Sequence, residues 1–358
     1  MNPKLSVCIP AYNRPHELSE LLDSLAQQPS GDWDVIICDD CSPRSSEIEA
    51  RVNDFARHHP AIALKYVRNE TTLGYDRNLR RLIDIARGDY CLFMGDDDLL
   101  VSGALEKILS VLAKHNVGFI LRAWRSINND SQADVEQHRY FPQDLLFKSG
   151  TDSVVALFRR SVFISGLVFS RRAALECATD RFDGTLLYQL HLISCILPVM
   201  DSYYSSEPIV LRRLGGTHFF GTSKVESGKF APNEVTPDHS VQFVRGLLDI
   251  ARAEDTGDRV LFFEITRDVA RNAYPLLEIQ AKSLGRIQFM SYANRLASLG
   301  LWRYVSFWLW YAALMLFGPG VIRWVIRFLK TRLGYTPNLT RSAGLPAAKS
   351  HTRGEIVR

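Results

Sequence analysis

The chain has 358 residues, 46% hydrophobic and 23% charged, with a formal net charge of +4. These values are ordinary for a globular protein with one large domain and an appendage, and they exclude a disordered or fibrous class. Six cysteines in so long a chain exclude a disulfide framework, and the small net charge gives no reason to expect a nucleic-acid partner. The charge is unevenly placed, however. From residue 301 onward there are nine Lys and Arg against one acid, Glu355, while the rest of the chain is mildly acidic. A basic C-terminal segment of this kind predicts an anionic surface as partner.

Taken in order, residues 5–9 (LSVCI) read as a strand. Pro15 then suits the first turn of a helix whose Leu18, Leu21, Leu22 and Leu25 recur at helical spacing. Residues 33–38 predict a second strand and 45–59 a helix. Residues 63–67 predict a third strand, before a helix bearing Leu79, Leu82, Ile83 and Ala86. The fourth strand is 90–94, Ser102 can cap a helix carrying Leu105, Ile108, Leu109 and Leu112, and 117–121 makes a fifth strand. Alternation of this kind defines an α/β fold, a Rossmann-like, mainly parallel sheet flanked by helices. From 122 to 150 the pattern becomes polar and loop-like. Apolar segments return at 161–169, 186–197 and 207–211, and a Gly-rich loop is predicted over 215–237. Helical periodicity then runs from 239 to about 333, and 334–358 reads as a disordered tail. The N-terminus MNPKLSVCIPAYNR shows no long apolar run, so no secretory signal is expected and a reducing cytoplasm fits.

Ligands of open parallel sheets gather at the carboxyl ends of the strands. Four polar clusters fall there: Ala11-Tyr12-Asn13-Arg14, Asp39-Asp40, Arg68-Asn69 and Asp96-Asp97-Asp98. Alone, Asp39-Asp40 reads as an Asx-type turn. The triple Asp is harder to explain, because one carboxylate is enough to cap a helix and the other two only repel. A hard divalent cation, Mg²⁺ or Mn²⁺, that also holds a diphosphate compensates them. Cys38 and Cys41 form a lone CxxC, but the two carboxylates between the sulfurs oppose thiolate formation, so neither a redox nor a zinc role is expected. His58-His59 reads as a solvated helix end. No Walker A, GxSxG or HExxH motif occurs.

The segments SVCIPAYNR, VIICDDCSP and NETTLGYDRNLRRLIDIARGDYCLFMGDDD together resemble the N-terminal half of family-2 glycosyltransferases with the GT-A fold. The resemblance implies a nucleotide-sugar donor, a DxD-type metal site and inversion at the anomeric carbon. By it, Pro10, Ala11, Tyr12 and Arg14 line the nucleotide pocket with Asp39 and Asp40, of which Asp40 contacts the base. Asp96 and Asp97 face the donor. Asp97 resembles the ribose- or metal-binding acid, and Asp98 completes the metal site. Arg77 and Asn78 match a position near nucleotide or diphosphate, although a solvated helix residue is an equally good reading of Arg77.

The second half is more loosely similar to bacterial transferases, abequosyltransferase-like members among them, that act on lipid-linked saccharides. This implies a polyprenyl-diphosphate-linked saccharide acceptor. It divides the chain into a GT-A domain over 1–235 (donor half 1–125, acceptor half 126–235), a helical extension over 236–300, membrane-associating helices over 301–333, and the tail. An inverting transferase needs a carboxylate base. Asp183 is the candidate, with Asp180 and Glu176 as competitors, and Arg212 and Arg213 are candidates to close over a diphosphate. QFVRG at 242–246 is similar to the QxxRW of processive synthases but lacks its tryptophan, so one sugar per encounter is expected. Two other readings stay open: a sugar-phosphate nucleotidyltransferase and a non-catalytic membrane-associated assembly subunit.

Residues 304–322 carry no charge, long enough for a span, but Gly318-Pro319-Gly320 breaks the helix. The following piece sets Arg323, Arg327 and Lys330 against Ile322, Val325, Ile326, Leu329 and Leu333. With tryptophans at 302, 308, 310 and 324, this predicts a helix or hairpin lying on the inner membrane face, ahead of a core helix or a true span.

Overall fold

The computed structural model describes residues 2–128, 134–255 and 260–333. Its first part is β1 (Leu5–Ala11), α1 (Pro15–Ala26), β2 (Trp33–Asp39), α2 (Ser45–His58), β3 (Leu64–Arg68), α3 (Tyr75–Ile85), β4 (Tyr90–Phe93), β5 (Leu99–Leu100), α4 (Ala104–Lys114) and β6 (Phe119–Asn128). β1 pairs in parallel with β2 and β4, and β2 with β3. Both faces of β1 and β2 are covered, which is why they read as unbroken apolar runs. Alternate residues point to opposite sides: Val7, Ile9, Val35 and Ile37 meet the leucines of α1, whereas Cys8 and Ile36 meet Leu79, Leu82 and Ile83 of α3.

Beyond residue 121 the structure departs from the predicted loop. β6 runs on to Asn128 and is followed by β7 (Asp134–His138), β8 (Leu145–Phe147) and α5 (Thr151–Leu157). The strand was disguised by Arg122 and Ser126, polar residues that are nonetheless buried. Of the apolar run 161–169 only the end is a strand, β9 (Leu167–Ser170). It is followed by α6 (Arg171–Glu176), α7 (Tyr188–Ile196) and β10 (Ser202–Leu214), the last extending well beyond the expected 207–211. The strand order is β3-β2-β1-β4-β9-β6-β10-β5, with β7 on β6 and β8 on β10. β9 is antiparallel to β4 and β6, while β10 is parallel to β6. The sheet is therefore mixed around a parallel nucleus.

The C-terminal part is helical as predicted: α8 (Pro237–Ala253), α9 (Val260–Arg271), α10 (Tyr274–Ser283), α11 (Arg286–Ser298) and α12 (Val305–Leu333). These helices share one continuous apolar core with the sheet, reaching from Phe93 and Phe119 to Phe307 and Leu314. α12 is broken at Gly318, whose φ of 75° and ψ of 163° are not helical, and Pro319 opens the second piece with its preset φ. Phe307 and Leu314 are buried, but Leu309, Leu316, Phe317 and Trp324 are more than half exposed. α12 is thus docked along one side and apolar on the other. The expected tail, 334–358, lies outside the described residues.

Candidate active site

The loops after β1, β2 and β4 meet at one rim of the sheet and line a cleft of about 560 Å³ with residues from the segment before β9 and from the loop after β10. Two rim residues, Asn13 and Cys41, adopt φ near +60°, a conformation uncommon outside glycine that turns the chain sharply at the strand ends.

Asp40 is 5% exposed. Its carboxylate accepts from Asn69 Nδ2 (2.8 Å) and from the backbone N–H groups of Leu73 (2.7 Å) and Gly74 (2.8 Å). Burial raises its pKa above the usual carboxylate range, and these donors pull it back in part. Asn69 Nδ2 also donates to Asn78 Oδ1 (3.1 Å), and Asn78 donates to Cys38 O (3.1 Å), so Asp40, Asn69 and Asn78 form one polar wall. Asp39 turns away from the cleft. It accepts from Ser42 N (2.8 Å) and Tyr66 Oη (2.8 Å), which is the turn-forming role. Pro10, Ala11, Tyr12 and Arg14 all line the cleft, as do Asp96, Asp97 and Asp98.

The three adjacent aspartates have three different environments. Asp96 is 3% exposed and accepts from Tyr12 N (2.9 Å) and Arg14 Nη1 (2.6 Å). Burial holds its carboxyl at about 6 in spite of the guanidinium. Asp98, 4% exposed, accepts from Ser165 Oγ (2.5 Å) and Arg213 N (3.0 Å), and burial together with the charge of Asp97 pushes it to about 7. Asp97 is the most open of the three, with Arg14 Nη2 at 3.3 Å. Gly95 shows where the last two converge. A Cβ built there would lie 3.1 Å from Asp97 Oδ1 and Ser165 Oγ and 3.5 Å from Asp98 Oδ2. Hard oxygen atoms around one small space fit a divalent cation, Mg²⁺ or Mn²⁺, so Asp97 and Asp98 are the residues that would hold it.

Several contributors are not obvious in the sequence. Arg122 is fully buried, donates to Ser165 O (2.6 Å) and Phe163 O (2.8 Å), and thereby positions the Ser165 that bonds Asp98. Burial lowers its pKa to about 10. Glu226 accepts from Tyr75 N (2.6 Å) and Gly221 N (2.9 Å), tying the loop after β10 to the start of α3. In that loop, Phe219 meets Tyr12 edge-on at 5.6 Å, and Thr217 O accepts from Arg14. Asp76 accepts from the N–H groups of Thr185, Leu186 and Tyr188, each at 2.9 Å, which fixes the turn before α7. Arg213 is buried, donating to Asp97 O (3.0 Å) and pairing with Glu20, so it braces the acid turn instead of closing over a ligand. Arg212 lines the cleft and lies over Trp124 and Phe163 at 5.3 and 5.2 Å.

Arg77 and Asp183 are placed elsewhere. Arg77 Nε bonds Asp183 Oδ2 (2.6 Å), and Arg80 bonds both oxygens of Asp183 (2.8 and 3.1 Å). They line a separate cavity of about 370 Å³ with Asp180. Asp183 and Arg77, expected at the acceptor and at the nucleotide, are thus paired with each other and lie outside the lining of the cleft.

A parallel nucleus with acidic and amide-bearing loops converging at its carboxyl edge places the cleft where open α/β sheets bind their ligands. Residues 6–178 match the model of glycosyl transferase family 2. Abequosyltransferase RfbV of Salmonella typhimurium is 37% identical over 224 residues, 58% of this chain and 66% of the relative. The Escherichia coli UDP-Glc:alpha-D-GlcNAc-diphosphoundecaprenol beta-1,3-glucosyltransferase WfgD is 28% identical over 127 residues, 36% of this chain and 48% of the relative. The chain therefore covers less than two thirds of the length of each of these relatives. In structure it is similar to the mannosyltransferase PcManGT of Pyrobaculum calidifontis, solved with GDP-Man and Mn²⁺. The TM-score is 0.51 at 17% identity, over 90% of this chain and 87% of that one. Residues 6–178, just under half of the chain, thus carry the likeness to glycosyl transferase family 2, and the fold is similar to the GT-A fold of that neighbour.

Proposed function

We propose that the protein transfers a sugar from a nucleotide-sugar donor to a polyprenyl-diphosphate-linked saccharide during surface-polysaccharide assembly, with Mn²⁺ or Mg²⁺ as cofactor. The observation that carries this reading is the convergence of Asp97 and Asp98 above Gly95 in a cleft that also holds Asp40 and Asn78. A lipid-linked acceptor is supported by the name of WfgD, and surface saccharides by the kinship with an abequosyltransferase.

The Asp40–Asn69–Asn78 wall would receive the base, while Asp97 and Asp98 would hold the cation. The cation, when bound, supplies charge that offsets the departing nucleoside diphosphate. Arg212, at the cleft wall, offers a guanidinium to the same phosphates. Inversion by direct displacement, one sugar per encounter, requires a carboxylate to take the acceptor proton. Asp40, Asp96, Asp98 and Glu226 are engaged by donors and Asp97 is assigned to the cation. Glu234, which also lines the cleft, takes the proton in this reading. The exposed apolar side of α12, with Arg323 and Arg327 in its second piece, would rest the protein on the anionic inner face of the membrane.

Thermal unfolding of the full chain against a panel of nucleotide sugars, with and without Mn²⁺, tests the core of this proposal. One nucleotide class should stabilise the protein in a metal-dependent way. Stabilisation by none of them, or equally by all without metal, overturns it.

A further inference from the structure

The cleft has a second wall that the acid turns do not explain. It is made by Phe243 of α8, by Leu276 and Ile279 of α10, and by Val235 just before α8. Val235 is 57% and Ile279 46% exposed, although both line a concave site. Large apolar side chains left open in a cleft mark a place where an apolar group binds.

Polar groups brace this wall from behind. Gln280 is buried, and its Nε2 donates to Val235 O (2.8 Å), which fixes the end of the loop after β10 to α10. Tyr292 of α11 donates its hydroxyl to Leu276 O (3.2 Å) and so takes the Ser240 hydroxyl of α8 as its own donor (2.6 Å). The four apolar side chains have no hydrogen bond to offer. A saccharide hydroxyl set against them loses water without replacement, whereas a hydrocarbon gains by leaving water.

α10 is also the partition between the cleft and α12. At about 100° per residue, Leu276, Ile279 and Gln280 share one face, and Tyr274 and Glu278 share the opposite one. On that opposite face Glu278 pairs with Arg323 of α12 (2.7 Å), and the Tyr274 ring meets Trp310 of α12 at 5.4 Å. A helix with its side chains is about 10 Å across. The apolar wall therefore stands one helix thickness from α12, whose outer side rests on the membrane in the reading above.

Given the lipid-linked acceptor of that reading, we propose that Val235, Phe243, Leu276 and Ile279 seat the first isoprene units of its polyprenyl chain. The remainder of the lipid passes over α10 to the bilayer, so only a short length of it has to leave the membrane. Glu234 immediately precedes Val235. A lipid on this wall thus leads its saccharide toward the carboxylate that takes the acceptor proton.

The test uses the full chain without divalent metal, so that no cation holds phosphate, and farnesyl diphosphate below its micelle concentration as the probe. In calorimetry the wild type should bind it about tenfold or more tightly than inorganic diphosphate. The near-isosteric V235T and the surface variant I279D should melt as the wild type does, and each should lose about fivefold or more of that affinity. L316S/F317S/W324S, altered only on the outer side of α12, should keep it. Monomeric dihexanoylphosphatidylglycerol should not displace the probe. A wild type with no preference for the farnesyl compound overturns the seat and the lipid-linked acceptor together. A preference that V235T and I279D both retain overturns the seat alone. The seat fails equally if the α12 variant is the one that loses the preference, or if the phosphatidylglycerol displaces the probe, since the occupant is then a bilayer lipid. Metal-dependent stabilisation of the same wild type by nucleotide sugars reports on the donor separately.

Discussion

Arg14 Nη1 lies 2.6 Å from Asp96 Oδ1 and so bridges the loop after β1 to the acid turn after β4. The pair is nearly dry, and the same guanidinium reaches Asp97 and Thr217 O. Removing one member of such a buried pair typically costs about 3–5 kcal/mol, because the other charge stays behind. R14A should therefore destabilise the protein strongly in denaturant unfolding. R14A/D96N should recover part of the loss, whereas R14K, a point charge without the planar fork, should not replace Arg14. Equal stability of R14A and wild type would remove Arg14 as the compensating group.

Asp97 and Asp98 are tested at the level of binding. D98A should keep the fold but abolish metal-enhanced binding of nucleoside diphosphate in calorimetry. Because Asp98 also accepts from Ser165 and Arg213, D98N is the paired control that preserves the shape of the turn. Metal-enhanced affinity surviving in both variants would sink the cation assignment.

D40A leaves the N–H groups of Leu73 and Gly74 and the amide of Asn69 without their acceptor. Nucleotide affinity should fall by about 1.5–3 kcal/mol, the range for a hydrogen bond to a charged group. A loss of stability with unchanged affinity would instead make Asp40 a brace of the wall.

The nucleus of the fold was legible because β1, β2 and α1–α4 obey simple periods. The acid turns were legible because carboxylates crowd at strand ends. Arg122, Glu226 and Asp76 were not, since each acts through partners distant in sequence: Ser165, Tyr75 and Thr185. The partners of Asp183 were hidden for the same reason. A carboxylate ahead of a glycine turn looks available, and only the packing of α3 reveals two arginines upon it.

Two carboxylates are thereby separated by experiment. D183N should lower the unfolding temperature while leaving sugar transfer near the wild-type rate. E234Q should cut transfer by about 10²-fold or more with donor affinity unchanged, the scale of a lost general base. The reverse pattern would return the proton-accepting role to Asp183.

Asp76 carries a pH signature. Burial raises its pKa from 3.8 to about 6, against the pull of the Leu186 and Tyr188 backbone donors. The folded state therefore binds this proton more tightly than the unfolded chain does. The stabilisation is complete below pH 3.8 and is lost as pH rises through 6. Melting temperature against pH should accordingly fall less steeply across this window in D76N than in the wild type. Identical slopes would show that Asp76 titrates as an ordinary carboxylate.

The structure divides α12 between two readings of an apolar helix. One side belongs to the body: Phe307 and Leu314 are buried, Trp310 Nε1 donates to Arg271 O (2.8 Å), and Arg323 pairs with Glu278 (2.7 Å). Deleting everything after Ser298 would therefore uncover core and unfold part of the protein, so the exposed side of α12 is tested by surface substitutions. The other side shows Leu309, Leu316, Phe317 and Trp324 to solvent, more apolar surface than a single docked helix needs to expose. The break at Gly318 leaves neither piece with the roughly 20 residues of a span, which favours lying in the interface over crossing it. L316S/F317S/W324S should keep the melting temperature of the wild type and lose sedimentation with anionic vesicles. R327Q should weaken binding by about 1 kcal/mol at low salt, the contribution of one basic residue near such a surface. Neutral vesicles should bind the wild type less than anionic ones, and added salt should narrow that difference. If the wild type ignores anionic vesicles at low salt, or the triple variant binds them equally, the exposed face of α12 is not a membrane contact.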